Sequence, residues 1–117
     1  MASMNSVKSR SKSTPKPPKV QPSLEEILTR LRASLPDLRE RYHIASLGVF
    51  GSFVRGEQRK RSDLDILVEF TVSPSLFKLV DLRNELTAQT GMPVDIALKK
   101  TLKPRIGRRI LAEVIYL

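Results

Sequence analysis

Asp63 and Asp65 stand one residue apart at the head of an apolar run, SDLDILVEF, from Ser62 to Phe70. In an extended strand, residues two apart point to the same face. Both carboxylates would then project side by side while Leu64, Ile66 and Val68 pack on the other face. Two like charges that close repel, and a cation between them relieves the repulsion. Carboxylate oxygens suit Mg²⁺, which commonly takes one or two protein carboxylates and completes its shell with substrate phosphates. An isolated Asp-x-Asp, however, reads more readily as the wet end of a strand, with Ser62 and Asp63 in a turn.

A second group of residues changes that balance. Three of the five glycines, Gly48, Gly51 and Gly56, fall within the stretch GVFGSFVRG. Gly51 lets the backbone turn tightly or approach a ligand with no Cβ in the way. Ser52, placed to start a short helix, offers a hydroxyl beside free N–H groups, where phosphate binds readily. Arg55 can aim a fixed positive charge at the same phosphates. A lone Gly-Ser before a helix is usually only a cap. The third piece is Asp95 in PVDIAL, an acid inside an apolar strand, which is costly unless paired or on a wet face. Each piece alone has a plain structural explanation; together they fit one site, a phosphate-holding turn beside three convergent carboxylates.

Gly51-Ser52, ten further residues and Asp63-x-Asp65 reproduce the signature of the nucleotidyltransferase superfamily related to DNA polymerase β. The fuller string GSFVRGE…SDLDILVEF…VDIAL resembles its smallest members, the minimal nucleotidyltransferase (MNT) domain proteins, from about Ser23 onward. Two features depart from the pattern. Val54 stands where a smaller residue is usual, which bears on packing more than on chemistry. The basic Arg59–Arg61 run is outside the signature and reads as a solvated loop.

The resemblance implies an antitoxin encoded beside a HEPN-domain ribonuclease toxin, transferring AMP from ATP to a tyrosine near the toxin's active site. Gly51 and Ser52 would hold the triphosphate, and Asp63, Asp65 and Asp95 would carry two magnesium ions. The chemistry is consistent on its own terms. A tyrosine hydroxyl with a pKa near ~10 needs activation at neutral pH, which metal ions supply. In-line attack at the α-phosphorus releases pyrophosphate, with Asp95 a candidate proton acceptor. Two other readings stay open: a binding-only antitoxin that covers the toxin's active site, and nucleotidyl transfer to a small-molecule acceptor. The latter enzymes bring extra structure for the acceptor pocket, whereas this chain ends soon after its third strand and final helix.

These residues need elements to position them. Ser23-x-x-Glu26 is a capping box behind Pro22, and Leu24, Ile27, Leu28, Leu31 and Leu35 form one stripe at helical spacing. Pro36 either kinks that helix or begins a second, PDLRERY. Ile44–Phe50 reads as a buried strand with Gly48 a weak spot, and Asp63–Phe70 as a second. The clearest helix lies in SPSLFKLVDLRNELTAQTG, with Leu76, Leu79, Leu82 and Leu86 on one face and Gly91 as its stop. A strand VDIAL, a helix from Pro104 to Ala112 weakened by Gly107, and a short edge strand in EVIYL complete the order. Strands alternating with helices predict an α/β (α+β) fold, a small mixed sheet flanked by helices.

Composition narrows the rest. The net charge of +9 is largely a property of residues 1–22, which hold five cations and no acid. From Ser23 onward, 16 basic and 12 acidic residues leave +4. The first 22 residues are rich in Ser and Pro and read as a disordered tail, able to touch RNA or an acidic surface only through charge. Residues 23–117 are then of single-domain size, and the resemblance implies that they form one minimal nucleotidyltransferase domain. There is no cysteine, hence no disulfide, thiolate metal site or Cys nucleophile. No secretory signal or membrane-length apolar run is present, and a cytoplasmic, prokaryotic protein is the expectation. His43, the only histidine, reads as a helix-end or loop residue, and Tyr42 and Tyr116 as packing residues.

Overall fold

The computed structural model describes residues 22–58 and 63–117. The basic tail and the Arg59–Arg61 loop of the sequence reading lie outside these residues. The elements are α1 (Leu24–Tyr42), β1 (Ile44–Phe50), α2 (Ser52–Arg55), β2 (Leu64–Phe70), α3 (Leu76–Thr90), β3 (Val94–Leu98), a 3₁₀ turn (Lys99–Thr101), α4 (Pro104–Glu113) and β4 (Ile115–Tyr116). The strands form one mixed sheet in the order β3-β2-β1-β4. β1 runs antiparallel to both β2 and β4, while β2 and β3 are parallel and joined by α3 as the crossover.

α1 begins as its sequence dictates. Ser23 Oγ accepts from the Glu26 N–H at 3.1 Å, and Glu26 Oε1 accepts from the Ser23 N–H at 2.8 Å, satisfying two otherwise orphaned donors. The helix then continues through Pro36 rather than restarting there. Continuity carries the apolar stripe on to Leu38 and Tyr42, both buried, and that packing outweighs the backbone hydrogen bond a proline cannot donate. His43 closes the helix in the left-handed conformation, φ 58°, and donates its N–H to Arg39.

The core lies between one face of the sheet and the pair α1 and α3. Ile27, Leu31, Leu35 and Leu38 of α1 meet Leu82 and Leu86 of α3 over Leu47, Val49, Leu64, Ile66, Val68 and Val94. At roughly 1.5–3 kcal/mol per fully buried side chain, this layer carries most of the favourable burial. Arg41 ties the two helices across their exposed side, donating to Asp37 and Glu85, while the Tyr42 hydroxyl donates to Glu85 at 3.0 Å.

Three expectations change on contact with the fold. Leu76 is not part of the buried face of α3: it is 73% exposed and lines an open cleft beside β3. Its buried residues are Leu82, Leu86 and Thr90 instead. Gly48 is not a weak spot. A Cβ there would stand 2.6 Å from Val114 Cγ2 and 3.0 Å from the Ile115 carbonyl, so its absence is what lets the segment around β4 lie against β1. Tyr116 is 43% exposed and lies beneath the Lys99 ammonium, not in a packed interior. Among the described residues no helix is long and apolar enough to cross a membrane.

Candidate active site

The alternation that buries Leu64, Ile66 and Val68 turns Asp65 to the opposite face of the sheet. Asp95 is its register partner on β3, and Phe50 its partner on β1. Directly paired residues on neighbouring strands share a face, so Asp65 and Asp95 stand side by side. Asp63 precedes β2 by one residue and is exposed. Its charge, with that of Asp95, is felt at Asp65: burial first, then Asp95 and Asp63, push the Asp65 carboxyl above the usual range, opposed by Arg55. Asp95 and Asp63 thus crowd negative charge around Asp65, a repulsion that a cation would relieve. Among the described residues no three such side chains form a group that could hold a metal ion on their own.

β1 ends at Gly51, whose φ of 87° few side chains tolerate. A Cβ on Gly51 would lie 2.9 Å from Asp65 Cγ and against its Oδ2. The turn is therefore built at van der Waals range of the central carboxylate. Four residues of helix follow, Ser52–Arg55, with the N–H groups of Val54 and Arg55 donating to the Gly51 carbonyl at 3.1 and 3.2 Å. Phe53 anchors this turn in the core, Ser52 is half-buried beside it, and Arg55 extends outward. The sequence-derived candidates Gly51, Ser52, Arg55, Asp65 and Asp95 thus cluster at one corner of the sheet, with Asp63 at its rim.

One participant was not singled out in the sequence. Glu113, the last residue of α4, accepts from the Gly51 N–H at 2.6 Å through Oε2. The same carboxylate accepts from Arg55 Nη1 at 2.9 and 3.0 Å. Arg55 also donates from Nε to Glu57 at 2.9 Å. A cleft of about 240 Å³ is lined here by Gly51, Arg55, Asp65, Arg109 and Glu113 together with Phe50, Ile106 and Ile110. Only the pattern of α4, a polar face carrying Arg109 and Glu113 four residues apart, hinted at this wall. On the other side of Asp95, a second cleft of about 240 Å³ runs between α3 and β3, lined by Leu76, Leu79, Val80, Arg83, Asp95, Ile96 and Leu98.

Comparison with known proteins establishes the family and the fold. The family profile described as nucleotidyltransferase domain matches residues 31–117. A protein adenylyltransferase, MntA, of Thermococcus cleftensis is 47% identical over 94 residues, spanning 80% of this chain and 95% of its own length. A solved structure described as a candidate minimal nucleotidyltransferase superposes with a TM-score of 0.71 at 38% identity, covering 82% of this chain and 97% of that one. A chain from a toxin–antitoxin crystal structure with AMP-PNP shares the fold at a TM-score of 0.58 and 20% identity, covering 79% of this chain and 69% of that one. The chain belongs to the nucleotidyltransferase domain family, in its minimal form, and is an enzyme of nucleotidyl transfer.

Proposed function

We propose that this protein transfers AMP from ATP to a tyrosine hydroxyl of a partner HEPN-domain ribonuclease toxin, with Mg²⁺ bound, and thereby acts as the antitoxin. The observation that carries the reading is the register pairing of Asp65 with Asp95 beside the Gly51 turn. The protein adenylyltransferase name of the relative at 47% identity supports a protein acceptor.

Asp63, Asp65 and Asp95 would hold the magnesium ions. When bound, the metal lowers the pKa of the acceptor hydroxyl and offsets phosphate charge. The rest falls to the chain itself. Gly51, Ser52 and Arg55 bind and align the triphosphate, so that the α-phosphorus faces the carboxylate pair. The tyrosine oxygen forms a bond to the α-phosphorus, the bond to the bridging oxygen breaks, and pyrophosphate leaves with that electron pair. The proton passes to Asp95, which is exposed at the edge strand and so can hand it to solvent.

Acceptor and donor would approach from different sides. The triphosphate occupies the cleft at Gly51, Arg55 and Asp65, while the cleft at Asp95 is lined by the exposed Leu76 and Val80 of α3. An apolar surface beside the proton acceptor suits a polypeptide better than a polar small molecule.

The decisive experiment pairs Asp63→Ala with Asp65→Ala. The variant should lose ATP- and magnesium-dependent adenylyl additions on the partner, read by intact mass, while still docking to it. If the double variant neutralises the toxin as well as the wild type does, the binding-only antitoxin is the correct description. Additions to an aminoglycoside-type small molecule in place of the partner would indicate a small-molecule acceptor.

A further inference from the structure

We infer that Glu113 is an internal anion seated where the triphosphate must go, so that nucleotide binding is an exchange of one anion for another. This rests on the reading that Gly51 and Arg55 hold the triphosphate. A backbone N–H and a guanidinium edge aimed at one point form an anion seat. In this structure the Glu113 carboxylate fills it with three hydrogen bonds of 2.6 to 3.0 Å. The Gly51 N–H is a single donor, and the Arg55 Nη1 edge already serves both Glu113 oxygens. A phosphate oxygen can take these donors only if Glu113 lets go. A carboxylate left beside an incoming triphosphate would also repel it, which makes release a condition of binding.

Release has a ready destination. Arg109 lines the same cleft and precedes Glu113 by four residues on α4, the spacing at which helical side chains meet. The exchange gives the site selectivity. A ligand must bring enough negative charge to replace a carboxylate at Arg55, which a triphosphate does and an uncharged nucleoside does not. Glu113 thus sets the threshold for nucleotide binding and discriminates by the phosphate chain, whatever the base.

The test is affinity for ATP in the full chain by titration calorimetry, with adenosine and inorganic tripolyphosphate as separate probes. Glu113→Gln keeps an acceptor for the Gly51 N–H but removes the competing charge. It should tighten ATP and tripolyphosphate by about fivefold or more and leave adenosine unchanged. Removal of a nearby charge alone also favours a polyanion, so the exchange itself is read from the Glu113 and Gly51 resonances of the wild type. Unchanged or weaker ATP binding by the folded variant overturns the inference. Arg55→Ala separates this from the underlying reading: if that variant binds ATP as well as the wild type, the seat is not the triphosphate's and both fall. Tripolyphosphate titrated into the wild type answers this by nuclear magnetic resonance, whether or not Glu113→Gln folds. The Glu113 carboxyl carbon and the Gly51 amide should shift together, and a Gly51 shift with Glu113 unmoved overturns the exchange.

Discussion

The two faces of β2 belong to different economies of the same molecule. Leu64, Ile66 and Val68 are fully buried against α1 and α3. Asp65, between the first two, is only half-buried; burial first, and then Asp95, Asp63 and Glu113, raise its pKa. The helix-side face stabilises the fold; on the other, where Leu67 is also buried, the charge of Asp65 works against it. A carboxyl whose folded pKa is raised above its unfolded value favours the protonated form, so the charged form at neutral pH is a cost to stability. Proteins keep such costs where a ligand will offset them.

That contrast can be broken most sharply by Asp65→Asn. Transfer should fall by roughly a thousandfold, while the thermal midpoint holds or rises, because the amide carries no charge to desolvate. A large drop in midpoint would mean that Asp65 belongs to the fold after all. Its neighbour should answer in the opposite way. Ile66→Ala, on the helix side, should cost about 2–5 kcal/mol in chemical denaturation, and ATP affinity of the remaining folded fraction should stay near wild type.

Gly51→Ala touches both faces of the contrast at once. Its φ of 87° and the proximity of Asp65 predict a loss of about 1–3 kcal/mol together with weakened ATP binding, because the added Cβ displaces the carboxylate. Away from the site, Ser23→Ala should cost about 1 kcal/mol through the lost cap, with transfer unaffected. The smallest effect concerns Glu85. Hydrogen bonds from Arg41, with help from the Tyr42 hydroxyl, hold its carboxyl below the ordinary value of 4.5. A depressed carboxyl stabilises the fold above its unfolded pKa, and that contribution disappears as pH falls through the lower folded value. Wild type should therefore lose stability in that acid window, and Glu85→Gln should show a shallower loss in denaturation measured between pH 5 and 3.

Local signals made much of this legible in the sequence. The Ser23–Glu26 box, the period-two pattern of β2 and the crossover helix before Val94 each follow from short-range rules, and each is observed. Asp63, Asp65 and Asp95 could be picked out because acids at the heads of apolar strands are conspicuous. Glu113 could not, because its partners are 58 and 62 residues away and a glutamate at a helix end has an ordinary explanation. Leu76 misled for a related reason. Periodicity says which face of a helix is apolar, not whether each residue on it is covered. Gly48 looked like a defect until Val114, far along the chain, was seen to need the space.

The pairing of β2 with β3 has one more consequence. The hydrogen-bond ladder between their strands sets the backbone spacing of Asp65 and Asp95, and side-chain rotamers then set only how their carboxylates meet. A slip of one residue in that ladder would turn Asp95 toward the apolar layer and expel Val94 or Ile96 from it. Misfolding and loss of the carboxylate pair are thereby the same event. Correct folding alone sets the two residues' backbone positions side by side.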